Sequence, residues 1–168
     1  MNNIEKIIGD YQLFFSDILH RIRTLQINII GMPLSHFLLR TATLTDYAKI
    51  TKALEKYCCE VVETGSNDKR ISILTLTTPL SLEQGFELPV IEIPAPSPSK
   101  DALTGFESMG IVAGPQFQEF LEQHDSVFTA VKEYGPYLKA ALITFDNQKT
   151  VKFYNRSIRE VIRLESGA

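Results

Sequence analysis

A few side chains in this sequence are of types that do chemistry and stand in runs that read as β-strands. His36 lies between Ser35 and Phe37 in Ser35-His36-Phe37-Leu38-Leu39-Arg40-Thr41, and period-two alternation sets it on one face with Leu38 and Arg40. Glu92 interrupts the apolar run Val90-Ile91-Glu92-Ile93, where a carboxylate must be paired or face a wet cavity. By the same alternation Lys152 shares a face with Tyr154, and Ser108 shares one with Phe106 and Gly110. Each has an ordinary explanation. A lone strand histidine reads first as a hydrogen-bonded core residue, a strand tyrosine as core with a wet tip, and Glu92 as solvated at a sheet edge.

Other chemistry is absent or bland. There is no Gly-rich phosphate loop, no HExxH and no GxSxG. His20 and His124 fall on helical patterns that face solvent, as do Arg156, Arg159 and Arg163 interleaved with Glu160 and Glu165. The adjacent Cys58 and Cys59 would strain a mutual disulfide and lack the CxxC spacing zinc uses, so they are expected as small buried side chains in a reducing compartment.

Those positions need elements to hold them. Apolar residues from Ile4 to Leu25 recur at three- and four-residue steps, predicting one amphipathic helix that ends before Gly31-Met32-Pro33. After the His36 strand, Thr43 or Thr45 caps a helix running to about Tyr57. Strands follow at Cys59 to Thr64, Arg70 to Thr77 and Phe86 to Ile93, separated by Gly65-Ser66-Asn67-Asp68 and Glu83-Gln84-Gly85. The prolines of Pro94-Ala95-Pro96-Ser97-Pro98-Ser99 remove ladder donors and predict a stiff connector. Beyond it come a strand from Phe106 to Ala113, a helix from Pro115 to His124, a strand within Tyr134 to Phe145, a last strand from Thr150 to Tyr154, and a short helix capped by Ser157. No element is assigned between Asp125 and Tyr137. The order strand, helix, strands thus runs twice, without a close sequence repeat.

At 168 residues and a net charge of −3, the chain fits one domain with an adequate apolar core. Its scattered Lys and Arg lack the footprint of a nucleic-acid binder. The start, MNNIEKIIGD, is acidic where a signal peptide needs a basic region, and no apolar run approaches the roughly 20 residues of a membrane span. A cytoplasmic protein without nucleic-acid or membrane partners is expected.

Five segments in one order carry a resemblance: Leu34-Ser35-His36-Phe37-Leu38-Leu39-Arg40, Asn67-Asp68-Lys69-Arg70-Ile71-Ser72, Val90-Ile91-Glu92-Ile93-Pro94, Gly105-Phe106-Glu107-Ser108, and Thr150 to Ile162. The chain resembles the YecM-like family of the vicinal oxygen chelate superfamily, which includes glyoxalases, extradiol dioxygenases and bleomycin-resistance proteins, from about Leu34 to Glu165. The resemblance implies an α+β fold in which two βαβββ modules form a curled mixed sheet around a cleft. On that reading residues 1–31 are an N-terminal helical extension packed on a domain spanning 32–168, with module one at 32–94, a connector at 95–104 and module two at 105–168.

In active members metal ligands come from the first and last strands of each module. Carried over, those positions are His36 and Glu92 in module one, and Ser108 and Lys152 in module two. A chelate built here would have His36 and Glu92 as ligands for Zn, Mn, Fe or Ni, with a poor neutral hydroxyl, Ser108, in the third place. An ammonium in the fourth repels a cation. The favoured expectation is therefore no cofactor, a decayed metal site, and a pocket for an anionic small molecule formed by His36, Arg40, Arg70, Glu92, Ser108, Lys152 and Tyr154. An ion pair between Lys152 and Glu92 is the simpler outcome for both. Glu107 is expected to be structural. The alternatives are a metal-dependent isomerase, lyase or dioxygenase using His36 and Glu92, and a protein-interaction module docking through residues 4–25. No catalytic residue is assigned, and both a monomer and a homodimer stay open.

Overall fold

A computed structural model describes residues 2–65, 69–97 and 103–167. The turn expected at residues 65–68 and the connector at 95–104 therefore lie partly outside the described residues. The N-terminal pattern gives two helices rather than the single one expected: α1 (Asn3–Ile8) and α2 (Tyr11–Thr24). Gly9 separates them at φ +90, a conformation other residues resist, and Asp10 Oδ1 restarts the chain by accepting the N–H of Leu13 at 2.9 Å. The remaining elements are β1 (Leu34–Arg40), α3 (Leu44–Leu54), β2 (Cys58–Thr64), β3 (Ile71–Ser81), β4 (Glu87–Pro94), β5 (Gly105–Val112), α4 (Phe117–Gln123), β6 (Ala130–Tyr134), β7 (Leu138–Thr144), β8 (Thr150–Tyr154) and α5 (Ile158–Glu165).

This is an α+β fold, with βαβββ traced twice and an eight-stranded mixed sheet in the order β2-β3-β4-β1-β5-β8-β7-β6. The chain divides into two compact units, Met1–Phe14 with Phe37–Glu107, and Phe15–His36 with Ser108–Ala168. The N-terminal helices are thus shared between the units.

In unit one β2, β3 and β4 pair antiparallel, and β4 pairs parallel with β1 through Phe37↔Ile91 and Leu38↔Glu92. Thr43 Oγ1 starts α3 by accepting the N–H of Asp46 at 3.0 Å. The helix covers the sheet face that carries Ser72, whose hydroxyl is 2.6 Å from the Tyr47 phenol. Burial, aided by nearby Glu63, raises the Tyr47 pKa above its ordinary value. Phe14, Phe37 and Phe106 form an aromatic cluster with centroids 5.1 to 5.7 Å apart. The β3–β4 register shifts between Thr75 and Leu80, beside Pro79 and Pro89, neither of which has an N–H to donate.

Unit two repeats the pattern, with β5 and β8 parallel and β6, β7 and β8 antiparallel. The stretch 125–137, for which the sequence suggested nothing, supplies β6, and Gly135 turns it into β7. Phe153 on β8 packs 4.7 Å from Phe120 of α4 and 6.1 Å from Phe128. Arg21 of α2 bonds Asp146 at 2.7 Å and Asp17 at 3.1 Å, with its guanidinium over the Phe145 ring. That hydrogen bond holds the Asp146 carboxyl below its ordinary pKa. Among the described residues no helix is long and apolar enough to cross a membrane.

Candidate functional site

Unit two brings the module-two candidates together with His36. Ser108 and Gly110 come from β5, Lys152 and Tyr154 from β8, and the register Ser108↔Thr150, Gly110↔Lys152, Val112↔Tyr154 places this alternate set on one face. His36, from the start of β1, lays its ring on that face. A Cβ at Gly110 would stand 2.7 Å from Tyr154 Cε2, 3.0 Å from His36 Cε1 and 3.2 Å from His36 Nδ1. Only a residue without a side chain lets the two rings close to a centroid distance of 5.6 Å. Both are buried, at 3% and 4% exposure, and Ser108 is buried beside them.

The histidine is anchored from behind. Ser35 Oγ lies 2.8 Å from His36 Nδ1 and accepts the N–H of Ile158, the first residue of α5, at 2.9 Å. On the same sheet face Tyr154 packs with Leu138, Ala140, Leu142 and Val161 of α5. Lys152 is half-buried, and its Nζ sits 5.3 Å from the centroid of the Tyr134 ring, within cation–π range.

The other candidates belong to unit one. Glu92 is half-buried and shares its register with Leu38 on β1 and Ile73 on β3, so it leaves the sheet on the face opposite Ser72 and α3. Arg70 lies on the α3 side, its guanidinium 5.6 Å from the Tyr47 ring centroid. Arg40 grips Glu107 with two parallel bonds, Nε to Oε2 at 2.6 Å and Nη2 to Oε1 at 3.2 Å. Glu107 is thus a structural carboxylate. The expectation for the cysteines needs correction: Cys59 is exposed and Cys58 only half-buried, because β2 ends the strand order and has one paired neighbour. Burial and the adjacent Cys59 push the Cys58 thiol up to about 11.

Among the described residues no group of three or more His, Cys, Asp or Glu side chains is placed to hold a metal ion. In unit two the His36 ring lies against the Ser35 hydroxyl and the Tyr154 ring, with Lys152 on the same sheet face as Tyr154, and neither a neutral hydroxyl nor an ammonium is a good ligand for a divalent cation.

Three residues of this site were missed in the sequence. Gly110 had a signal, since a glycine in a strand often marks close approach. Ser35 and Tyr134 had none, because their roles depend on contacts that the local pattern does not encode.

Comparison with known proteins gives a family and a fold. The family described as YecM protein matches residues 3–145. The match starts well before residue 34, so the N-terminal helices belong to it, and it stops before the segment Thr150 to Ile162. A solved structure described as "Structural Genomics, Protein EC4020" is 22% identical with a TM-score of 0.77, covering 98% of this chain and 97% of that one. A triple mutant of 4-hydroxymandelate synthase from Streptomyces coelicolor is 8% identical with a TM-score of 0.40, covering 73% of this chain and 48% of that one, a likeness too slight to bear on fold or chemistry. No curated protein matches the chain.

Proposed function

This chain belongs to the YecM family, and from that premise we propose that it is a small-molecule-binding protein of the vicinal oxygen chelate fold that takes an anion on the sheet face of unit two. The observation that carries the reading is Lys152. Its ammonium leaves β8 beside Gly110, on the face covered by the buried His36 and Tyr154 rings, with the Tyr134 ring against it. A half-buried ammonium is screened less than a fully solvated one, so its attraction for an anion is stronger and its repulsion of a metal ion equally so. The neighbouring hydroxyls of Ser108 and Tyr154 would orient the ligand. The chemistry is recognition, with no turnover implied.

The test is titration of the protein at low ionic strength with inorganic phosphate and with oxalate, followed by calorimetry. Binding should weaken at least tenfold, about 1.4 kcal/mol or more, in Lys152→Met. It should survive in Arg159→Met, which removes an exposed cation of α5. Equal binding in both variants, or none in the parent, defeats the proposal. Elemental analysis of protein purified without chelator tests the other reading. Near-stoichiometric Zn, Mn, Fe or Ni, lost in His36→Ala, would move the assignment to a metal-dependent isomerase, lyase or dioxygenase.

A further inference from the structure

A hollow of about 300 Å³ lies within unit two. Phe120 lines it and packs 4.7 Å from Phe153, so it sits on the side of β8 opposite Lys152. One wall is a stripe of α4 and the turn before it, because Gln116, Glu119, Phe120 and Gln123 follow one another at helical spacing. The rest comes from the chain that leaves α2, with Gln26, Asn28 and Met32. Among the described residues the side chains of Gln26, Gln116, Glu119 and Gln123 make no hydrogen bond or ion pair. Asn28 uses only its oxygen, which accepts the N–H of Ile30 at 3.0 Å.

This lining selects among ligands by chemistry. Among the described residues no Lys or Arg borders the hollow, and Glu119 is its carboxylate. An anion would meet that like charge with no cation to offset it. An ammonium would satisfy Glu119 but only donates, which leaves the carboxamide N–H groups unused. A hydroxyl donates and accepts at once, so a neutral ligand with several hydroxyls matches both the carboxamides and the carboxylate. Phe120, 5% exposed and 4.9 Å from the His124 ring, joins Met32 in offering an apolar surface to the C–H face of such a ligand. The volume lies at the small end for ligand sites and gives room for a single sugar ring.

We propose that this hollow is a second binding site, taking a sugar ring through Gln26, Asn28, Gln116, Glu119 and Gln123. It is independent of the anion site on the Lys152 face. Gln26 also stands where a helix most readily ends in glycine. It follows α2 at φ 60, with its amide on the Arg23 carbonyl at 2.8 Å and the Ile27 amide on the Ile22 carbonyl at 3.3 Å, the pair of closing bonds that needs a left-handed residue. Gln84 and Gln148 share that backbone conformation, so it identifies no site by itself; Gln26 differs in lining the hollow. Glycine in its place removes the carboxamide and nothing that the helix end requires.

The experiment records amide spectra of the nitrogen-labelled full chain with glucose, galactose, mannose and N-acetylglucosamine, each as the free sugar and as its methyl glycoside. At millimolar concentration at least one should move the side-chain NH2 signals of Gln26, Gln116 and Gln123, assigned by their loss in Gln26→Gly, Gln116→Met and Gln123→Met, and leave those of Gln84 and Gln148 in place. Response to either form supports the site, and the stronger of the two identifies a free sugar or the end of a glycan as the source. For that ligand, affinity should fall roughly fivefold to tenfold in Gln26→Gly, the loss of one hydrogen-bonding partner, while the urea midpoint holds or rises. Gln123→Met, at an exposed helical position, should weaken binding similarly. Gln118→Met, on another face of α4 with its carboxamide on Glu122 at 3.0 Å, should leave affinity unchanged.

The proposal fails if no sugar of the set moves these signals, or if Gln84 and Gln148 respond equally. It fails too if folded Gln26→Gly and Gln123→Met bind as the parent does, or if Gln118→Met loses as much affinity as they do. Should one of the two hollow variants not fold, the other decides.

Discussion

The two modules trace the same path and finish differently. In both, the last strand lies parallel to the first, β4 on β1 and β8 on β5. At one register position module one pairs Leu38 with Glu92, and module two pairs Gly110 with Lys152. One pair fills its space with an aliphatic side chain next to a carboxylate. The other leaves space, which two rings occupy, next to an ammonium. The backbone topology is thus indifferent to what the site does, and the chemistry is set by which side chains the last strand carries and how much room the first strand leaves.

Substitutions at that shared position give the largest effects. Leu38→Ala opens a cavity in unit one and should cost about 2–5 kcal/mol in urea unfolding, since the alanine cannot refill the space. Gly110→Ala errs in the opposite sense, driving a methyl into Tyr154 and His36, and should cost about 1–3 kcal/mol. A neutral or stabilising Gly110→Ala would show that the two rings are not held by that glycine, and the contrast between modules would lose its basis.

The helices sharpen the comparison at smaller scale. α3 begins at Thr43, whose hydroxyl accepts from Asp46, while α4 begins at Gln116 with no side-chain cap and a 3-10 turn before it. Thr43→Ala should lower stability by about 1 kcal/mol. Gln116→Ala should lie within about 0.5 kcal/mol of zero. Equal losses would mean that the cap of α3 contributes nothing specific.

The last effect, at the outer strand of module one, is absent at neutral pH and emerges only in alkali. The folded chain holds the Cys58 proton to about 11, against 9.0 for an ordinary thiol, so the unfolded chain loses it first. Stability from this group is whole below pH 9.0 and declines as pH rises towards about 11. In Cys58→Ala that part of the decline should vanish from unfolding curves measured across the window. Alkylation near neutral pH should also mark the exposed Cys59 well before Cys58.

How much of this was readable depended on where the determining contact lay. β8 emerged residue for residue because Thr150 to Tyr154 is bounded by Asp146-Asn147-Gln148-Lys149 and by the Ser157 cap, signals that sit within the segment. β6 was missed because four of its five residues are exposed and carry no alternation to detect. The break at Gly9-Asp10 was legible, a glycine followed by a capping aspartate, but the continuous apolar spacing on either side outweighed it. Within the site, alternation along single strands grouped Lys152 with Tyr154 and Ser108 with Gly110. It could not reveal that Arg40 would be taken by Glu107, 67 positions away, or that Ser35 would be held by a helix near the other end of the chain.

Among the described residues the strands that close off the sequence of pairings, β2 and β6, each leave one rim of peptide groups without a neighbouring strand. Both rims show a valine to solvent, Val61 at 45% and Val131 at 56%, yet these are flanked by Glu60 and Glu63 on one and by Lys132 and Glu133 on the other. A further copy laid against either rim would have to bring charges together or strip them of water. Resistance to stacking would thus fall to a handful of charged side chains that lie apart from the sheet face proposed for the anion.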